Sequence, residues 1–266
     1  METNTENMSL KERSIFLQKQ YDFYVDTNKW VLVHVDGRSF SKMVKNKLEL
    51  PFDKKFIEIM DDTAAYLCKQ VQGAQIAYVQ SDEISLLLRK NSPEGDIFFG
   101  GRLCKMQSII ASLATCYFNR EMFMFDLWEA VTTTGESADE LPFYQFDCKV
   151  WGVDSADDAM AWFLYRNIDC VRNSKQQAAQ TYLPHKALMG LDTDKQITKL
   201  KEEKGIDWAM YDEGEKYGRL IYKEYEAHVN PAGEEYTRSV WKSHPGLDLT
   251  KPENREKLAE ICSAFL

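Results

Sequence analysis

The stretches WVLVHVDGRSF (residues 30–40) and AQIAYVQSDEISLLLRK (residues 74–90) decide the fold. Each is an apolar, β-prone run that ends in acid: 31–35 leads into Asp36-Gly37, and 76–80 leads into Ser81-Asp82-Glu83. Side chains alternate along a strand, so Leu32, His34 and Asp36 share one face and Val31, Val33 and Val35 the other. By the same rule Ile76, Tyr78, Gln80 and Asp82 share a face. If the two strands are neighbours, Asp36 and Asp82 meet at the strand ends. Carboxylates fixed in that way can hold hard divalent cations against the oxygens of a phosphoryl transfer. Asp-Gly after a strand is also an ordinary turn, so the reading rests on the whole combination of strand, acid, helix, strand, acid and strand.

Outward from these runs the pattern stays regular. Residues 9–24 read as an amphipathic helix, opened by Ser9 with Glu12 three places on. Pro51 and Asp53 start a second helix, with Phe56, Ile59, Met60, Thr63, Ala64 and Leu67 as its apolar stripe. A long helix is expected from about Gly101 to Glu121, with Arg102 and Lys105 on one face. A loop rich in Thr, Gly and Ser at 131–140 leads to a strand at 144–152. Asp154 or Ser155 then caps a helix running to about Tyr182. The order β, α, β, β, α, β is that of the ferredoxin-like, split βαβ arrangement, an α+β fold that polymerases and nucleotide cyclases use as their palm. Residues 1–182 are therefore expected to form a palm-type catalytic domain with an N-terminal helix. Residues 183–266 read as a less regular C-terminal extension packed on it, with a charged helix at Thr193–Lys204, a β-like piece at 217–225 and a closing helix from about Asn254.

Composition sets bounds. The 266 residues carry 44% hydrophobic and 28% charged side chains, ordinary for a globular protein. No apolar run nears the roughly twenty residues of a membrane span, and the polar opening METNTENMSLKERS resembles no targeting signal, so a cytoplasmic location and no membrane partner are expected. The six cysteines show no C-x-x-C pairing and read as reduced, mostly buried thiols; the four histidines do not cluster, which argues against zinc. A net charge of −9 argues against a protein wrapped in nucleic acid. A local basic patch, Arg38, Lys42, Lys45, Lys47, Lys54 and Lys55, still offers a place for phosphates.

The pattern Asp36-Gly37-Arg38-Ser39-Phe40, followed by Gln80-Ser81-Asp82-Glu83, resembles the tRNA-His guanylyltransferase superfamily, enzymes that add nucleotides to RNA 5′ ends in the 3′-to-5′ direction. The likeness continues through Arg102-x-x-Lys105, Phe146-Asp147, Arg166-x-x-Asp169-Cys170 and YGRLIY at 217–222, and covers roughly residues 10–225. It implies Asp36, the Gly37 carbonyl and Asp82 as ligands of two or more Mg²⁺ ions, with Glu83 as a third catalytic carboxylate. It further implies a nucleoside triphosphate on Gly37, Arg38, Ser39, Phe40 and Ser81, and Lys45 or Lys47 near a family lysine, Lys45 being taken as the match. Arg102 and Lys105 match basic residues near the triphosphate or the RNA 5′ end, and Asn173 is a further candidate beside Arg166 and Asp169. ATP and GTP are the implied substrates, tRNA the implied partner, and a homotetramer the implied assembly. His34 stands where many relatives carry a basic residue and is read as neutral and structural.

One departure bears on substrate. Eukaryotic members carry His-Ile-Asn-Asn after the Asp-Cys pair; here Val171-Arg172-Asn173-Ser174 follows Cys170. This is similar to the bacterial and archaeal branch, which implies template-dependent repair of tRNA 5′ ends, with G addition to tRNA-His as the narrower form of the same chemistry. The alternative is a palm-type nucleotide cyclase or small-nucleotide signalling enzyme using the same carboxylates without RNA, although the Gly-Gly-(Asp/Glu)-Glu-Phe turn of one major cyclase class is missing. A degenerate palm serving as an RNA-binding scaffold is a third reading, and retention of both Asp36 and Asp82 speaks against it.

Overall fold

β1 (Trp30–Gly37) is buried along five successive residues, 31–35, and divides the molecule into two cores. Val31, Val33 and Val35 pack with Phe56, Ile59, Met60 and Leu67 of α2 (Lys54–Gln70) and with Met106, Ile110 and Phe118 of α3 (Leu103–Met124). Leu32 faces the other way, toward Phe163 and Cys170 of α4 (Ala156–Tyr182) and Leu258 of α8 (Pro252–Ser263). The alternation expected from the sequence is therefore what sorts the strand into two apolar surfaces. In the computed structural model residues 8–40, 48–90, 92–124, 143–231 and 233–263 are described; Lys42, Met43, Lys45, Lys47 and the 131–140 segment lie outside them.

The remaining strands are β2 (Ala74–Gln80), β3 (Glu83–Leu88), β4 (Phe146–Val153), β5 (Arg219–Val229) and β6 (Glu235–Pro245). They form one antiparallel sheet in the order β4-β1-β3-β2-β5-β6. This corrects one expectation: β1 and β2 are not neighbours. The β1–α2–β2 crossover leaves a strand-wide gap, and β3 folds back from β2 to fill it, placing Glu83 opposite Asp36. Asp82 reaches Asp36 through the two-residue β2–β3 turn rather than through strand pairing. Ser81 takes a left-handed φ of 44° there, a conformation costly for a residue with a side chain and one that collects at functional sites.

The extension continues the sheet. Residues 219–221 of β5 pair with 77–79 of β2, and β6 pairs with β5 along its whole length. An edge left bare at β2 would be a template for association, and Leu220 and Ile221 cover it while entering the two cores. β6 was not expected, because its exposed half carries no apolar alternation.

Between α4 and β5 lie α5 (His185–Leu188), α6 (Thr193–Lys204) and α7 (Glu213–Tyr217). Helix starts follow their caps: Ser9 and Glu12 form a reciprocal capping box on α1 (Leu10–Lys19), and Asp53 and Ser155 accept from the backbone of Phe56 and Asp158. α1 stops short of Tyr24 because the backbone at 23–25 is drawn into bonds with 101–103. α3 likewise starts at Leu103, after a short 3-10 turn at Phe98–Gly101 in which Phe99 and Gly100 have positive φ. Cys68, Cys170 and Cys262 are buried as expected, whereas Cys104 and Cys116 lie exposed on α3.

Candidate active site

Both acids of the two defining stretches arrive at one end of the sheet. Gly37 donates its N–H to the Asp82 carbonyl at 3.1 Å. A Cβ on Gly37 would stand 2.8 Å from Asp82 Oδ2 and 2.6 Å from the Phe40 ring. Glycine is required here for space. Gly37→Ala is expected to destabilise the protein by about 1–3 kcal/mol and to displace the Asp82 carboxylate. Chemical denaturation reads the first effect, and an unchanged midpoint would mean that this contact is not made.

Burial is the largest influence on both carboxyls. It raises Asp82 to about 6, with the charges of Asp36 and Glu83 adding and the Ser81 hydroxyl at 3.0 Å opposing. It also raises Asp36, with Glu83 next in effect. Asp147 stands opposite Asp36 across β4 and adds to the crowding. Asp36 and Asp82 are both partly buried, and the charge of Asp36 adds to the shift of Asp82; hard oxygens so placed are suited to a divalent cation. Among the described residues no three Asp, Glu, His or Cys side chains form a ready cage. Asp36, Asp82 and the Gly37 carbonyl supply hard oxygens of the kind Mg²⁺ takes, waters and substrate oxygens completing its shell.

Glu83, expected as a third catalytic carboxylate, is engaged in an ion pair. Its oxygens accept from Arg166 Nη2 at 2.7 and 2.5 Å, and Oε2 also accepts from Gln80 Nε2 at 2.8 Å. Arg166 donates as well to Asp169 Oδ2 at 2.9 Å. The ion pair holds Glu83 next to Asp36, its register partner across β1 and β3, whose carboxyl its charge pushes up. His34 is structural, as read from the sequence. Its Nδ1 lies 3.2 Å from Ser85 Oγ, its ring meets Trp162 edge-on at 5.2 Å, and burial followed by the Arg166 charge pushes its pKa down to about 4.

A cleft of about 520 Å³ opens beside the carboxylates, with Gly37, Ser39, Phe40, Ser81 and Asp82 on one side and Asn173 on the other. Ser39 adopts a φ of 62°, so the 37–40 turn presents its backbone to the cleft. Arg38 is tied to Gln145, side chain to side chain at 3.1 Å and backbone to backbone at 2.8 Å. Phe40 is a buried anchor among Phe56, Phe118, Tyr144 and Phe146, with ring centroids 5.1–6.3 Å away, rather than a surface for stacking a base.

Arg102 and Lys105 are not brought to this cleft within the chain. Arg102 donates to Asp22 at 2.9 and 2.5 Å, and Lys105 lies 4.8 Å from the centre of the Phe99 ring. They sit where β1 begins, whereas Phe118, sixteen residues further along α3, packs on Phe40 at the cleft. That is about 24 Å of helix at 1.5 Å per residue. The grip on Glu83 and the amides that follow Asn173 along α4 were missed by sequence reasoning, although the 173, 176, 177, 180 spacing marks a single helical face.

A split βαβ palm with paired aspartates at its strand ends is an arrangement that polymerases and nucleotide cyclases share, and the comparisons decide between them. The tRNAHis guanylyltransferase (Thg1) family model matches residues 14–154, and the chain belongs to that family, whose members are nucleotidyltransferases. A bacterial tRNA(His) guanylyltransferase-like protein in complex with ATP is 27% identical, with a TM-score of 0.80 over 96% of this chain and 99% of that one. A bacterial protein of the same description in complex with GTP is 25% identical, with a TM-score of 0.72 over the same shares. The tRNA(His) guanylyltransferase of Neurospora crassa is 28% identical over 55% of this chain and 47% of its own length. The cyclase alternative rested on the palm and the same carboxylates, and the family match decides against it. Among the described residues no helix is long and apolar enough to cross a membrane.

Proposed function

We propose that this chain is a Mg²⁺-dependent nucleotidyltransferase that adds nucleotides to tRNA 5′ ends in the 3′-to-5′ direction, as directed by the opposite strand of the acceptor stem. The observation that carries the reading is the packing of Asp82 against Gly37 beside Asp36, at the mouth of a cleft large enough for a nucleotide. Support comes from the ATP and GTP complexes of the bacterial relatives. Transfer of this type needs positioning and charge neutralisation rather than a protein nucleophile. Asp36, Asp82 and the Gly37 carbonyl would hold the cation, which supplies neutralisation at the phosphates and acidifies the attacking hydroxyl.

The chain's own residues do the rest. The 37–40 turn brings its backbone to the triphosphate, and Ser81 orients the Asp82 carboxylate. Arg166 neutralises Glu83 beside the ligand set. After a 5′-monophosphate has been activated with ATP, the 3′-hydroxyl of an incoming nucleotide attacks the 5′ phosphorus and displaces the activating group.

Templating follows from what the site offers. Discrimination for G alone needs dedicated contacts to the base edge, each worth roughly 1–3 kcal/mol. The side chains around this cleft include no Arg or Lys among the described residues. Pairing with the opposite strand supplies the discrimination instead. The test uses 5′-truncated tRNAs whose opposing base is varied through A, C, G and U, and the expected product carries the complementary nucleotide each time. Entry of G whatever the opposing base, or only with a His anticodon, would overturn the templated reading in favour of dedicated tRNA-His guanylylation.

A further inference from the structure

The wall of the cleft that faces the catalytic carboxylates is made of carboxamides. Asn173, Gln176, Gln177 and Gln180 follow one another at i, i+3, i+4 and i+7 on α4, so they form a single stripe, and all four line the cleft opposite Gly37 and Asp82. Gln176, Gln177 and Gln180 make no side-chain hydrogen bond to another described residue. Gln176 and Gln177 are half-buried, and Gln180 is exposed.

The neighbouring cations are committed elsewhere. Lys175 pairs with Asp194 at 2.6 Å and lies over the Trp208 ring, Arg172 pairs with Asp169, and Arg166 holds Glu83. The only charged side chain among the cleft's described lining residues is Asp82.

We propose that this carboxamide stripe is the docking surface for the nucleobase of a nucleoside triphosphate, and that it accepts all four bases. The inference rests on the nucleotidyl-transfer reading above and extends it from Asn173 to Gln176, Gln177 and Gln180, to which no role has been given. A triphosphate calls for cations or for the metal, and the stripe has neither, so the phosphates lie at the Asp36–Asp82 end and the neutral base at the other. Each carboxamide presents one carbonyl acceptor and two N–H donors. It can therefore meet the acceptor or donor edge of any base by turning over. Selection of guanine would use Arg or Lys on its O6 and N7, selection of cytosine an acid on its amino group, and selection of adenine an amide locked in one orientation on its N6 and N7. The stripe holds neither cation nor acid, and Gln176, Gln177 and Gln180 have no side-chain partner among the described residues that would lock them. Among the described residues no exposed aromatic side chain lines the cleft, so the base is held by its edge. A wall that grips every base equally leaves the choice among them to pairing with the opposite strand.

The experiment measures equilibrium binding of ATP, CTP, GTP, UTP and inorganic tripolyphosphate, each with Mg²⁺, to the full chain and to Gln177→Leu/Gln180→Leu. Helix content and the melting midpoint are followed alongside. All four nucleotides are expected to weaken about tenfold, the equivalent of one lost hydrogen-bonded base contact, while tripolyphosphate binds as before. The single variant Gln180→Leu, at an exposed position, should show a smaller loss of the same pattern and serves if the double variant is unstable.

An equal loss for tripolyphosphate would place phosphate on the stripe. A loss confined to one nucleotide would make it a selective pocket, and unchanged affinities would remove it from the site. Any of the three overturns the proposal. Binding is read without RNA, so failure to extend a truncated tRNA would count against the function proposed above and leave this result standing.

Discussion

Replacing Asp82 with asparagine is expected to reduce nucleotide addition by about a thousandfold or more while making the metal-free protein more stable at neutral pH. The loss of activity follows from the donor set. With only Asp36, Asp82 and one carbonyl available, removing either carboxylate halves the charge that holds the cation. Loss of one preorganised charge-stabilising group costs about 10²–10³ in rate even where others remain. Asp36→Asn should behave alike.

The gain in stability follows from burial. The Asp82 carboxyl is raised from 3.8 to about 6, so it holds its proton more tightly in the folded chain than in the unfolded one. The cost of ionising it in the folded state is absent below pH 3.8, grows between 3.8 and about 6, and is complete above that. At pH 7.5 it amounts to at most about 3 kcal/mol, which the asparagine variant does not bear. Denaturation in the presence of a chelator, at pH 7.5 and again near pH 4, should show the gap between variant and parent closing at the lower pH. Near-normal turnover in Mg²⁺ would remove the assignment of the carboxylates as ligands; a pH-independent gap would remove the account of burial.

How far the sequence carries this site can be traced through its residues. Asp36 and Asp82 were legible because a strand's period is local: alternation alone puts each at the exposed end of a buried run. Their meeting was legible in outcome but not in route. The position of β3 between β1 and β2 depends on how a crossover and a hairpin share one sheet, which no window of a few residues contains. Arg102 and Lys105 do start a helix together, as their spacing predicts. Which end of the sheet that helix begins at is decided by the backbone bonds of Phe23 and Val25 to residues 101–103, and nothing in the spacing reports it. β6 escaped notice because a ribbon exposed on much of its surface has no apolar alternation to betray it. The partner of Glu83 was the least legible feature. An acid beside two other acids invites assignment as a ligand, and only the arrival of Arg166, 83 positions away, changes its chemistry.

Arg166→Met is expected to cost about 3 kcal/mol of stability, and most of that should return when Glu83→Gln is added. The guanidinium is buried to 9% side-chain exposure and Glu83 to 20%, so solvent does little to screen the charge that the single variant strands. Breaking a buried pair from one side costs roughly 3–5 kcal/mol, because the remaining ion keeps its desolvation penalty and loses its partner. Here the stranded carboxylate would lie beside Asp36, whose own carboxyl Glu83 already pushes up, and beside Asp82, where it adds to the same effect. The single variant thus leaves three acids close together at the end of β1 and the β2–β3 turn with the guanidinium gone, Glu83 keeping only its bond from Gln80. In the double variant the glutamine can still accept from one neighbour and donate to another, and no charge is left over. The comparison is a double-mutant cycle read by chemical denaturation at neutral pH. If Arg166→Met costs as much in the Glu83→Gln background as in the parent, the guanidinium acts through its packing on Trp162 and Tyr165, whose ring centres lie 5.9 and 5.1 Å from its central carbon. A coupling of 2 kcal/mol or more, on the order expected for a buried charge pair, would instead mean that this arginine neutralises the one acid at the site that the metal does not need.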